Sequence, residues 1–71
     1  MAQTTRTDTN LRMTWDASIV MVDSTREALA KARMLGLDWF DLAEWDGLAE
    51  GWVPLGTWAK DHAGRFVSIP A

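Results

Sequence analysis

The segment that most constrains the fold runs from Ser24 to Gly36, because both of its ends carry signals for a helix terminus. Ser24 and Glu27 match a capping box, in which each side chain accepts a hydrogen bond from a free backbone N–H of the first turn. The residues TREALAKARML between the two ends are strong helix formers, and Gly36 is the expected C-terminal stop. The sequence therefore predicts one amphipathic helix over residues 25–35. Its apolar arc consists of Ala28, Leu29, Ala32 and Leu35.

The rest of the chain must complete a single small core around this helix. The protein has 71 residues and no cysteine, so neither a disulfide nor a thiolate zinc site can stabilise it. Five tryptophans supply large apolar side chains for packing instead. Residues 1–12 are polar and rich in threonine, which predicts a disordered N-terminal arm followed by one domain over residues 13–71.

Three further segments have the pattern of β-strands. Residues 14–22, TWDASIVMV, predict one strand, and the IVMV run suggests a central position because it is apolar on both faces. Residues 57–60 and 65–69 predict a hairpin whose turn, 61–64, places Gly64 at a position of positive φ. Trp52 and Val53 could begin an edge strand, where the following proline is tolerated.

The stretch from Asp38 to Glu50, DWFDLAEWDGLAE, mixes five carboxylates with three aromatic side chains. Asp38 suits a helix N-cap, and a helix over residues 39–46 would separate an apolar arc from an acidic one. A strand is the competing prediction, and alternation would then place Asp41 on the same face as the tryptophans of the stretch. We expect the helix. The fold class is then α+β, a small three-stranded, mainly antiparallel sheet with two helices on one face, in the order β-α-α-β-β.

Charge is distributed unevenly along the sequence. The net charge is −3, but residues 34–59 contain five acids and no lysine or arginine, while the remainder carries +2. A nucleic-acid-binding surface needs clustered basic residues, so this segment is not expected to bind nucleic acid directly. It suits a positively charged protein surface. The bases of the predicted first helix, Arg26, Lys31 and Arg33, are few and are interrupted by Glu27.

No residue pattern in the sequence indicates catalysis or a bound cofactor. His62 is the only histidine, and it falls in the predicted turn without a nucleophile nearby. The carboxylates lack the spacing of a calcium loop, so we predict no metal site. No G-K-[ST] phosphate loop and no apolar run long enough for a membrane span is present. These features predict a non-enzymatic cytoplasmic protein, in the host cell if a phage encodes it.

The sequence thus predicts a protein-binding surface built on charge. The expected contact residues are Asp38, Asp41, Glu44, Trp45, Asp46 and Glu50. In size, charge and lack of catalytic groups the chain is similar to phage-encoded inhibitors of host defence, anti-CRISPR proteins among them, whose carboxylates can imitate the phosphates of a nucleic acid. An inhibitor of this kind would block a basic groove of a nucleic-acid-binding partner, as a monomer or small homo-oligomer. The alternative is a small assembly adaptor that self-associates through Trp52, Val53 and an exposed sheet edge.

Overall fold

The computed structural model describes residues 11–70, which form one helix and a five-stranded antiparallel sheet. The elements in chain order are β1 (Leu11–Trp15), β2 (Ser18–Val22), α1 (Thr25–Leu35), β3 (Trp39–Asp46), β4 (Gly51–Lys60) and β5 (Phe66–Pro70). The strands lie in the order β2-β1-β3-β4-β5. The predicted three-stranded sheet with two helices was therefore wrong, since the chain is mostly β and has a single helix in the described range.

The segment predicted to be one central strand is a β-hairpin. β1 and β2 pair in the register Trp15↔Ser18, and the two residues between them form the turn, with Asp16 at a φ of 49°. The prediction failed because the turn has neither glycine nor proline, and Asp is one of the few other residues that tolerate this conformation. β2 is consequently an edge strand. Leu11 and Arg12, assigned above to the arm, lie in β1, and the rest of that arm lies outside the described residues.

The helix α1 has the predicted bounds and both predicted ends. Ser24 Oγ accepts a hydrogen bond from the Glu27 backbone N–H at 3.1 Å, and Glu27 Oε1 accepts one from the Asp23 N–H at 2.9 Å. At the other end Gly36 has a φ of 71°, and the Leu37 N–H reaches the Ala32 carbonyl at 2.9 Å. This is a Schellman motif, which satisfies carbonyl groups that the helix leaves free.

The predicted second helix over residues 39–46 was wrong, because this segment forms β3. β3 lies at the centre of the sheet and pairs with β1 on one side and β4 on the other. The spacing of its apolar residues fits both the helical period of about 3.6 residues and the strand period of about 2. The neighbouring strands satisfy its backbone N–H and C=O groups on both sides. The strand alternative described above is the one that the chain adopts.

The C-terminal hairpin was predicted correctly, although β4 begins earlier than expected. The turn places Gly64 at a φ of 83°, and Asp61 Oδ1 accepts hydrogen bonds from the Ala63 and Arg65 N–H groups at 2.9 and 3.0 Å. β4 starts at Gly51 and includes Pro54. Pro54 has no N–H to donate, and it lies in the part of β4 that β5 does not reach.

The hydrophobic core lies between α1 and one face of the sheet. The buried side chains come from the helix and three of the strands: Leu11, Met13, Val22, Ala28, Ala32, Phe40 and Leu42. Two small alanines on the helix allow it to approach the sheet closely. Phe40 packs edge-to-face against Phe66, with ring centroids 5.6 Å apart. The helix covers one face of the sheet only, so the side chains on the opposite face have no covering element among the described residues.

Candidate protein-binding site

Within residues 11–70, the hairpin formed by β3 and β4 extends beyond the rest of the sheet. β1 pairs with β3 as far as Glu44, and β5 pairs with β4 only from Gly56 onward. Residues 45–53 therefore form a two-stranded projection, and Glu44 lies at its base. We call residues 44–53 the acidic arm. A ribbon of two strands exposes both of its faces, so its side chains reach solvent on each side.

The two faces of the acidic arm differ in chemistry. Cross-strand partners point to the same side, which places Glu44 with Val53 and Asp46 with Gly51. This side faces the same way as α1, and we call it the acidic side. Trp45 and Trp52 share the other side, where their rings pack edge-to-face with centroids 5.4 Å apart.

An open depression of about 510 Å³ lies at the acidic arm. Its lining consists of Glu44, Trp45, Asp46, Gly47, Leu48 and Val53. Leu48, at the tip, is completely exposed. The depression thus combines two carboxylates with apolar side chains that are accessible to a partner.

The tip of the arm is shaped by Asp46 and Glu50. Asp46 Oδ1 accepts hydrogen bonds from the Leu48 and Ala49 N–H groups, at 2.9 and 3.2 Å. Asp46 therefore closes the turn through one oxygen of its carboxylate. Glu50 has a φ of 53°, a conformation that few residues other than glycine adopt. The side chain of Glu50 is exposed, so this backbone conformation places a third carboxylate at the tip.

The structure brings together four of the six predicted contact residues. Glu44, Trp45, Asp46 and Glu50 all belong to the acidic arm. Asp38 precedes β3 at the opposite end of that strand, beside a smaller depression next to Trp15 and Trp39. Asp41 lies on the opposite face of the sheet from the acidic side of the arm.

Asp41 has a structural partner that accounts for its position. The Thr57 hydroxyl donates a hydrogen bond to Asp41 Oδ1 across the β3–β4 pair, and both residues are half-buried. A carboxylate held in this way is less available to a binding partner. The acidic helix face that would have aligned Asp38, Asp41 and Glu44 does not exist, because alternation in β3 separates Asp41 from Glu44.

The acids of the arm have no basic partner within the described part of the chain. Among residues 11–70 the one ion pair joins Lys31 and Glu27 on α1, at 3.9 Å. The base nearest to the arm is Arg12, whose guanidinium lies over the Trp52 ring at 4.6 Å from its centroid, on the aromatic side. Within residues 11–70, no base is paired with the carboxylates of the acidic side.

His62 is exposed in the β4–β5 turn. Across residues 11–70, no group of three histidine, cysteine or carboxylate side chains is placed to hold a metal ion. No helix in the same range is long and apolar enough to cross a bilayer.

A second surface was missed by the sequence analysis. The sheet face opposite α1, which we call the open face, carries mostly apolar side chains. They are Ile19, Met21, Trp39, Ala43, Trp45, Trp52, Pro54, Ala59, Val67 and Ile69, with Arg12, Thr14, Asp41 and Thr57 among them. The sequence contains a signal for this surface. In β2 and β5, residues that point to opposite faces of the sheet are both apolar, as Ile19 and Val20 are.

Comparisons of the chain with protein-family models, with curated proteins and with solved structures give no significant match.

Proposed function

We propose that this protein is a non-enzymatic protein-binding module that inserts its acidic arm into a basic groove of a partner. The observation that carries the proposal is the acidic side of the arm, where Glu44 and Asp46 line an open depression and Glu50 is exposed at the tip. A protein groove that normally holds nucleic acid is lined by basic residues and so has the matching charge. The protein would then act as an inhibitor that competes with the nucleic acid.

Charge and apolar area have separate roles in this proposal. Exposed carboxylates steer a basic partner toward the arm and raise the association rate more than the final affinity. The fully exposed Leu48 and the half-exposed Val53 supply apolar area beside the carboxylates. Burying such side chains provides affinity that is insensitive to salt. Binding should therefore weaken as salt rises without being abolished.

The test compares two double variants that remove the same amount of charge. Glu44→Gln/Glu50→Gln removes two of the three negative charges of the arm, and Asp23→Asn/Asp38→Asn removes two negative charges elsewhere. The tagged wild-type chain is used to capture a partner from a nuclease-treated lysate, and the purified partner is then titrated by calorimetry. We expect the arm variant to bind about tenfold more weakly, a loss of about 1.4 kcal/mol, and the control to bind like wild type.

Two results would count against the proposal. Equal affinity for the two double variants would show that the arm charges do not contribute. A partner affinity that does not change with salt would show that charge is not the basis of recognition. The competition step is tested separately with an oligonucleotide that the captured partner binds, which should displace the protein.

A further inference from the structure

We propose that the open face is the interface of a symmetric homodimer, in which the sheets of two copies pack face to face. This surface is on the opposite side of the sheet from the acidic side of the arm, so the proposal does not depend on the proposed function. The sequence had suggested self-association through Trp52, Val53 and a sheet edge. The structure points instead to the whole face across all five strands.

The composition of the open face is that of the inner face of a sandwich. A sheet with one solvated face normally alternates apolar residues toward the core and polar residues toward water. Here ten of the fourteen open-face residues are apolar, and they include three tryptophans. Several are well exposed, among them Ile19 at 62%, Ile69 at 50% and Trp39 at 40%. A second sheet packed about 10 Å away would remove them from water.

The exposed apolar area is of the size that a dimer needs. Six large side chains of the open face are at least 40% exposed: Ile19, Met21, Trp39, Trp45, Val67 and Ile69. Together they leave on the order of 500–600 Å² of apolar side chain accessible, taking each as about 200 Å². This exposed apolar area is at the upper limit for an apolar patch on a monomeric protein. It approaches the ~800 Å² that each partner buries in a standard interface. The half-buried Trp52 and the small residues between the strands add to it.

Charge on the open face favours a second copy over a charged partner. The face contains one base, Arg12, and one acid, Asp41, on neighbouring strands, so it is electrically neutral. In a two-fold interface residue i of one copy meets residue j of the other, and j meets i. Two copies of this neutral face can therefore meet without net charge repulsion.

The N-terminal segment of the same chain is a poor alternative occupant. Residues 1–10 read MAQTTRTDTN and include only Met1 and Ala2 as apolar residues. Such a segment cannot replace a second apolar sheet over three tryptophans. A small domain with seven buried core residues among those described also gains more from dimerisation than a larger one would.

The test measures the oligomeric state of the full chain and of three variants by sedimentation at several concentrations. Trp39→Lys and Ile69→Lys place an ammonium group on the open face. Met34→Lys is the matched control, since Met34 is 85% exposed on α1, away from that face. Wild type and the control should be dimers at all salt concentrations. Each open-face variant should raise the dimer dissociation constant by at least about 100-fold, because it would bury an unpaired ammonium group of each copy in the apolar interface.

A measurement on the wild-type chain guards against variants that fail to fold. On dilution below the dissociation constant, tryptophan emission should shift to the red because the open-face tryptophans become exposed to water. The melting temperature should be lower at lower protein concentration. A wild-type chain that is monomeric at high concentration would overturn the proposal. So would a dimer that folded open-face variants leave intact, since it would form through a sheet edge or the helix instead.

Discussion

At the scale of single residues, Asp46 has two roles that a substitution can separate. Its Oδ1 atom closes the tip of the acidic arm through the Leu48 and Ala49 N–H groups, and its charge belongs to the acidic side. Asparagine keeps an oxygen acceptor at the same position and removes the charge. Alanine removes both. The shape of the arm and its charge can therefore be varied independently at this one position.

We expect Asp46→Ala to loosen the tip of the arm and Asp46→Asn to leave it nearly unchanged. Each of the two hydrogen bonds contributes about 0.5–1.5 kcal/mol, and the freed N–H groups of an exposed turn can bond to water. Amide hydrogen exchange at Leu48 and Ala49 is the measurement, because local opening need not alter global stability. Equal protection in the alanine variant and in wild type would show that Asp46 does not hold the turn.

At the scale of elements, the helix α1 is specified almost entirely by its own sequence. Its start depends on Ser24 and Glu27, and its end on Gly36, which adopts the left-handed conformation that glycine enters without a steric penalty. A Cβ added at Gly36 would have no heavy atom within 4 Å, so space is not the constraint there. The backbone conformation alone disfavours other residues.

Gly36→Ala should therefore lower the free energy of unfolding by about 1 kcal/mol through backbone strain alone. Gly47→Ala is the control, because Gly47 lacks a positive φ and an added Cβ would meet Trp45 Nε1 at an ordinary 3.8 Å. Urea unfolding of both variants measures the difference. A loss as large at Gly47 as at Gly36 would mean that the C-terminal motif of α1 is not the cause.

The β-elements behave differently, since their identity depends on partners distant in sequence. The stretch from Trp39 to Asp46 has the composition of a helix with an acidic face, yet β1 and β4 bind it on both sides. The turn at Asp16 likewise depends on pairing between β1 and β2, because no glycine or proline marks it. Helix propensity is a weak preference that such pairing overrides.

At the scale of the whole molecule, the acidic side of the arm and the open face lie on opposite sides of one sheet, which packs on a single small hydrophobic core. Phe40 is fully buried at the centre of that core and packs on Phe66, so it connects the central strand to the edge strand β5. The open face contributes nothing to this core. In the proposed dimer it would form a second core, and the acidic sides of both arms would point outward.

Phe40→Ala should leave the chain largely unfolded. The expected loss is about 3–5 kcal/mol, which takes most of the stability of so small a domain. Met34→Ala removes a side chain that is 85% exposed and should change stability by less than about 0.5 kcal/mol. Far-UV circular dichroism during guanidinium unfolding measures both. A cooperatively folded Phe40→Ala chain would contradict a core centred on this residue.

The sequence by itself determined the features whose causes are local: α1 with both of its ends, the turn from Asp61 to Gly64, and the concentration of acids over residues 34–59. Only the tertiary structure decided that residues 39–46 are a strand, that Glu44, Trp45, Asp46 and Glu50 meet on one arm, and that ten apolar side chains share an uncovered face. The physical reason is that strand pairing satisfies backbone groups through segments far apart in the chain. The neighbouring strands therefore decide whether a segment becomes a strand and which of its side chains face the core.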